Sequence, residues 1–504
     1  MALETNKFNV ARKKRLEKQQ FGVECNVSTE IEIDKILSVC HSAQVENVEI
    51  LNGTVNYNGT IEVCLLYSTP DGEVGTINSS CPFSSKFDDK DIKVGQKAHI
   101  KVDVEECKIE NVTASNIKLD CVCVQSGTIV FSGEVTKIEP GEGVCTKRDE
   151  MLVDVLIGDA SETFVVESQL SIREPVKKVL FSDNQVAIKN VECGTNFVAV
   201  DGEVVSRILY LTEKDRFETA YVTESFKEEI ELEGTTRDAV CEAYACIKKN
   251  MVKCEIDSQE KGLDIKLSIP VVVKVFAYEE KTESVVKDLY STKYELEVST
   301  ESFEMTKQLV SESFESKIDG SFVLDATQPR VDKVMFVGGA NLSVTNAYLK
   351  DGEVFVEGVT KTNVIYLNDE TNSLHSVTIE LPFVVSDKAD IECTNTEVEV
   401  DVAICDVDVV VKKGREFYFD AKLKINAQYY CSQIGAVISY AQQSAQYQES
   451  DCAIQLVFAS EGQSAWDVAK MIRVEEEVIY LQNPEVVFPL ENDTNLIVYY
   501  QKRN

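Results

Sequence analysis

Residues 346–366 read NAYLKDGEVFVEGVTKTNVIY. The run Glu353-Val354-Phe355-Val356-Glu357 alternates polar and apolar side chains, the period of a strand with one buried face. Asp351-Gly352 just before it is a hairpin turn signal. The same stretch occurs twice upstream, as NVECGTNFVAVDGEVVSRILY at 190–210 and NVEILNGTVNYNGTIEVCLLY at 47–67, where Asn52-Gly53 takes the turn position. In all three copies the first Asn precedes a Gly by 12 residues, and that Gly precedes the last Tyr by 8. Lys35-Ile36-Leu37, Lys178-Val179-Leu180 and Lys333-Val334-Met335 lie upstream, the third copy carrying one extra residue near Gly338-Gly339. Pro82-Phe83, Ser225-Phe226 and Pro382-Phe383 lie downstream. The repeat period is 143 and then 156 residues, a domain length and not a solenoid length. The fold class is therefore mainly β: three repeated antiparallel β domains, at 2–145, 148–305 and 308–440, followed by a smaller module. Gly59, Gly202 and Gly358 sit inside long strand patterns, which predicts a bulge or bend there. Tyr67, Tyr210 and Tyr366 are expected to fill a core edge.

Several function classes are disfavoured by composition. A chain of 504 residues exceeds a single core, and 44% hydrophobic with 27% charged residues is a globular balance. The net charge of −35 repels phosphate backbones and anionic lipid, so neither nucleic acid nor a membrane surface is an expected partner. No stretch of 18 apolar residues offers a membrane span, and MALETNKFNVARKKRLEKQQ has no apolar core of a signal peptide, so a cytosolic protein is expected. There the 16 cysteines are expected to stay reduced. They are scattered singly apart from Cys121-Val-Cys123, whose side chains would share one strand face as small hydrophobes. His41, His99 and His375 lie far from any cysteine cluster, so no metal or other cofactor is expected. With no phosphate loop and no Gly-x-Ser-x-Gly, an enzyme is not expected either. Residues 10–20 are expected to form a short helix carrying Arg12, Lys13, Lys14, Arg15 and Lys18, either a solvated arm or a patch for an acidic surface. Residues 441–453 read as a linker, beginning AQQSAQYQESD.

The pattern then changes. Ile454 to Phe458 predicts a strand. Ser464 with Asp467 three residues later fits a capping box that opens a helix, with Trp466, Val468, Ala469, Met471 and Ile472 on its apolar side. A second short helix fits Glu475 to Leu481, ending at Asn483-Pro484, and Leu496 to Tyr500 closes a β-α-α-β unit over 454–504. Trp466, the single tryptophan, is expected in the core.

The segment Gly462-Gln463-Ser464-Ala465-Trp466-Asp467-Val468-Ala469-Lys470, with Asn483-Pro484 after helix two, resembles a LysM domain. Gln463 and Ala465 replace that family's usual Asp and Leu, and Glu491-Asn492-Asp493-Thr494 replaces its glycine-rich turn. The resemblance implies an N-acetylglucosamine groove formed by Gly462, Gln463, Ser464 and Ala465 with Asn483, Pro484, Glu485, Val486 and Val487. The departures fall in that groove. From 455 to 500, eight acids against Lys470 and Arg473 give −6, so Glu475, Glu476 and Glu477 are equally candidates for a protein-docking face. The triple Asn…Gly…Leu-Tyr pattern before a LysM-like end resembles the SPOCS-domain family of spore-forming Firmicutes. That resemblance implies a mother-cell protein at the forespore surface, docking through its LysM module onto the morphogenetic ATPase of the coat basement layer. The alternative is a peptidoglycan-binding protein of the cell wall or cortex.

Overall fold

The computed structural model describes residues 2–113, 115–257, 262–368, 373–391, 393, 395–447 and 453–499. In the first unit, β1 (Thr5–Ser28) precedes a meander of β2 (Lys35–Leu51), β3 (Thr54–Ser68) and β4 (Val74–Asp88). β5 (Lys97–Val112) and β6 (Asn116–Ile138) follow, and β1 returns to give a second sheet of order β1-β6-β5. The two sheets enclose one core, in which Val55, Ile61 and Phe83 of the meander meet Ile100, Leu119 and Cys123 of the other sheet.

The second unit repeats this plan. β7 (Val144–Ser171) leads into the meander β8 (Val176–Cys193), β9 (Phe197–Thr212) and β10 (Phe217–Glu231). Its second sheet joins β7 to β13 (Asp264–Ser291), whose other side carries β11 (Val240–Ile247) and β12 (Lys253–Ile256). A 3-10 turn at Lys249–Met251 splits the strand that is continuous as β5 in the first unit. The third unit has β14 (Tyr294–Val323), the meander β15 (Lys333–Lys350), β16 (Glu353–Asn368) and β17 (Ser373–Lys388), then β18 (Thr396–Lys412) and β19 (Glu416–Gln446) in the order β14-β19-β18. All pairings are antiparallel. The expected boundary at 305/308 falls inside β14, and the expected linker at 441–453 begins inside β19. Both shift because the long outer strand of each unit, weakly patterned in sequence, opens its unit ahead of the repeated motif.

The bulge is displaced too. β3, β9 and β16 run straight through Gly59, Gly202 and Gly358. The register slips on the neighbouring strands instead, between Val45 and Asn47, Ile188 and Asn190, and Val344 and Asn346. The bulged strand pushes a carbonyl toward the glycine: a Cβ on Gly202 would sit 2.7 Å from the oxygen of Ala187, and one on Gly358 2.5 Å from that of Ser343. On the other side each glycine is paired with Phe83, Phe226 or Phe383, whose ring lies over it. Glycine, bulge and downstream phenylalanine are thus one packing device.

Side chains from the three units converge in shared apolar clusters. Leu37, Leu66, Leu180, Leu209, Phe336 and Ile365 form one apolar cluster. Phe8 and Val135, Val153 and Val285, and Phe303 and Val437 form another among the long outer strands. The two residues of each Leu-Tyr motif divide the work: the first packs between units, while Tyr67, Tyr210 and Tyr366 stay buried at the edge of their own units.

The N-terminal basic run is not a helix. Residues 10–20 lie in β1, paired with β6 from Thr5↔Ile138 onward, because Phe8 and Val10 need the sheet's buried face. Lys13 is fully buried between units, its Nζ 2.7 Å from both Glu242 of the second unit and Glu399 of the third. Tyr278 donates to Glu242 (2.6 Å) and Tyr244 to Glu399 (3.0 Å), and the ammonium lies over the Tyr430 ring. Lys14 pairs with Asp89 and Asp91, while Arg15 and Lys18 donate to the carbonyls of Val398 and Val344. The run ties units together and is not a free patch.

Candidate docking module at the C-terminus

The module consists of β20 (Ile454–Ala459), α1 (Ala465–Ile472), α2 (Glu476–Gln482) and β21 (Thr494–Tyr499), with β20 and β21 antiparallel. α1 begins where Ser464 and Asp467 form the reciprocal capping box, with Asp467 N donating to Ser464 Oγ and Ser464 N to Asp467 Oδ2 (3.3 and 2.9 Å). The chain leaves α1 at Arg473, in the left-handed region at φ 57°. The helices cover one sheet face through Val457, Ala459, Leu496 and Val498.

Trp466 is 5% exposed, but its shell is not confined to the module. Its ring packs edge-on against Tyr290 of β13, centroids 4.9 Å apart, and its Nε1 donates to Asp288 (2.8 Å). Lys470 pairs with the other oxygen of Asp288 (2.5 Å), and Tyr290 donates to the carbonyl of Val474 (2.6 Å). Burial opposes ionisation of Asp288, yet the bonds from Lys470 and Trp466 hold its carboxyl below the usual range. Arg473 reaches the carbonyl of Tyr294 and the carboxylate of Glu295 and lies over the Tyr447 ring. The module is therefore latched where the second unit meets the third, by contacts that no local motif announces.

The expected groove residues are largely occupied with holding the module together. Ala465 is buried and Ser464 caps α1. Gln463 accepts from Ser460 N through its side chain, and its carbonyl accepts from Leu490 N. Asn483 brackets Ile497, accepting from its N–H and donating to its carbonyl (3.0 and 3.1 Å). Gln482 does the same for Tyr499 (2.6 and 3.1 Å). These amides satisfy the outer edge of β21 as a further strand would. Val486 packs toward the core, while Gly462, Pro484, Glu485 and Val487 remain exposed. Of the expected docking acids, Glu475 and Glu477 are exposed and Glu476 is half-buried. Glu475 and Glu476 stand close enough to Cys145 and Tyr290 of the body to act on their ionisation, so this run lies along the seam.

The feature that sequence reasoning missed is the outer face of the sheet. Ile454, Leu456 and Phe458 are 59, 66 and 62% exposed, and Ile497 and Tyr499 stand opposite Leu456 and Ile454. Five large apolar side chains share this open face. The signal was legible in Ile454-Gln455-Leu456-Val457-Phe458-Ala459: a strand apolar on both faces, with helices enough to cover only one. Elsewhere, a cleft of about 620 Å³ opens between units beside Cys40, Asp183 and Lys249. Among the described residues no group of three or more His, Cys, Asp or Glu side chains is arranged to hold a metal, and no helix is long and apolar enough to cross a membrane.

The family model of the SipL SPOCS domain matches three segments of the chain, residues 32–112, 175–256 and 330–412. Each match spans a meander and the following strand, β2 to β5, β8 to β12 and β15 to β18, and stops before the long strand that closes the second sheet. These matches connect the chain with sporulation. No curated protein and no solved structure matches it.

Proposed function

We propose that this protein is a non-enzymatic assembly scaffold of sporulation that docks, through its LysM-like C-terminal module, onto a coat morphogenetic protein at the forespore surface. The observation that carries the reading is the open apolar face of Ile454, Leu456, Phe458, Ile497 and Tyr499. A contiguous exposed apolar patch of this kind marks an interaction site more often than it marks chance. Among the described residues of the module the two cations, Lys470 and Arg473, are engaged by Asp288 and Glu295 of the body, so the described charges left facing outward are acidic. The partner that fits is an apolar segment flanked by Lys or Arg. Glycan recognition is less well supported, because Gln463, Ser464 and Asn483 already bond the module's own backbone and Ala465 is buried.

The test is co-precipitation of the full chain with the basement-layer coat protein, alongside sedimentation with insoluble peptidoglycan. The double substitution Leu456→Asp and Phe458→Asp is expected to abolish capture of the coat protein with an unchanged melting curve. Reversal of the exposed Glu475 and Glu477 to lysine is expected to keep both capture and fold, since exposed substitutions usually stay within about 0.5 kcal/mol. Strong sedimentation with peptidoglycan, unaffected by the double substitution and without capture of the coat protein, overturns the proposal in favour of wall binding.

A further inference from the structure

Edge strands of the body have backbone groups engaged by side chains from elsewhere in the body. On β5 the carbonyl of Ala98 accepts from Lys274, and the strand is joined to β6 by a disulfide between Cys107 and Cys121, where reduced thiols were expected. On β8 the carbonyls of Asn184 and Ile188 accept from Lys249 and Ser313. The carbonyl of Met335 on β15 accepts from Thr219, and on β18 the N–H of Ile404 donates to Gln185. In the C-terminal module the outer edge of β21 is closed in the same way by Gln482 and Asn483. These two amides also reveal how β20 is turned. In an antiparallel pair, opposite residues either bond each other or both turn their backbone groups outward. Ile497 and Tyr499 bond outward, so Leu456 and Ile454, which stand opposite them, turn their own groups away from β21. Phe458 follows at the two-residue period of the strand. Among the described residues nothing bonds the outward backbone groups of Leu456 and Phe458.

We propose that the outer edge of β20 accepts an extended segment of the partner protein as a third strand of the module's sheet, a reading that rests on the docking function proposed above. The residues that turn unbonded backbone groups outward are the ones whose side chains form the open apolar face, so one segment meets both. Main-chain hydrogen bonds to Leu456 and Phe458 supply affinity and fix the register, and side chains at alternate positions supply specificity. An incoming strand sets every second side chain beside Ile454, Leu456 and Phe458, and those positions of the segment are apolar. Charge defines its end. Glu461, just past β20, and Asp493, just before β21, are exposed at the Phe458 end of the sheet, and neither meets a cation among the described residues. A Lys or Arg at the matching end of the segment completes the fit. A second copy of this chain is the poorer occupant, because it sets a net charge of −35 against another of the same sign. An unprotected edge is what strand addition requires, and elsewhere in this molecule edge groups are engaged.

The experiment compares Leu456→Ala with Leu456→Pro in the full chain and follows amide hydrogen exchange of the native chain with and without the basement-layer coat protein. Both variants lose the leucine side chain, but only proline removes the outward N–H. The β20–β21 pairing does not use that N–H, so the thermal transition of the module is expected to persist in both. Leu456→Pro is expected to capture the coat protein about tenfold less well than Leu456→Ala, the worth of one backbone hydrogen bond. In the native complex the amides of Leu456 and Phe458 are expected to exchange at least about tenfold more slowly than in the free chain. Where proline unfolds the module, the exchange measurement on the native chain decides alone. Equal capture by the two variants, with both amides unprotected in the complex, overturns strand addition and leaves the docking face standing. Failure of the native chain to capture the coat protein removes the docking reading and this proposal with it. Protection of the two amides in the chain alone, accompanied by a dimer in sedimentation velocity, makes the occupant a second copy and overturns the proposal.

Discussion

Replacing Lys13 with methionine tests whether the three units are held as one body by the buried charge between them. Methionine keeps most of the stem and removes the ammonium. Glu242 and Glu399 then remain with side chains only 4 and 17% exposed and no counter-ion. Removing one partner of a buried ion pair costs about 3–5 kcal/mol, because a desolvated charge is left uncompensated. Against ordinary domain stabilities of about 5–15 kcal/mol this is a large fraction. The pH dependence identifies the cause. In the native chain burial pushes Glu399 upward, but the Lys13 charge and the hydrogen bonds from Lys13 and Thr128 outweigh it and hold the carboxyl at about 2, against an ordinary 4.5. A depressed carboxyl contributes stability that is present above its unfolded pKa and lost as pH falls through the folded one. The native chain therefore loses this contribution between 4.5 and about 2. In Lys13→Met the sign reverses for Glu399: burial, no longer outweighed by the Lys13 charge, raises its carboxyl above the unfolded value, so the deficit shrinks on mild acidification as it protonates in the folded state. Urea unfolding followed by far-ultraviolet circular dichroism is expected to show a loss of about 3–5 kcal/mol near neutrality. The loss should be smaller at about pH 5 and largely recovered when Glu242→Gln and Glu399→Gln are added. A loss below about 1 kcal/mol, or one independent of pH, refutes the reasoning.

Asp288→Ala removes the acceptor of both Trp466 and Lys470, so trypsin is expected to release the C-terminal module faster while the module's own unfolding transition stays in place, read by mass spectrometry and tryptophan fluorescence. Trp466→Ala is expected to unfold the module itself, at about 3–5 kcal/mol for truncating a large buried aromatic, seen as loss of its separate thermal transition. Gly202→Ala is expected to cost about 1–3 kcal/mol by forcing a Cβ between the Ala187 carbonyl and the Phe226 ring, and a lowered melting temperature checks it. An unchanged melting temperature would mean that the bulge relaxes and does not require the glycine.

The amino-acid sequence by itself determined the repeat, the strand period of 353–357, the capping box at Ser464 and the β-α-α-β order of the module. All of these rest on contacts within a few residues or on spacings copied three times. It misplaced residues 10–20, because Phe8 and Val10 acquire a buried face only when β6, more than a hundred residues away, pairs with them. It put the bulge on the glycine strand, because a slipped register belongs to two strands at once and only the pairing shows which one slips. It read Lys13 as a surface charge. A lysine is buried only where two carboxylates from other units stand ready to neutralise it, and nothing local encodes Glu242 and Glu399 arriving there. The apolar sheet face was present in the letters of 454–459, but whether such a face is covered depends on what packs against it. Two short helices cover one side of a two-stranded sheet, the body takes up the outer side of α1 through Asp288 and Tyr290, and the remaining side faces solvent. Local patterning sets which elements form; burial, charge pairing and exposure are properties of neighbours, and only the tertiary structure supplies the neighbours.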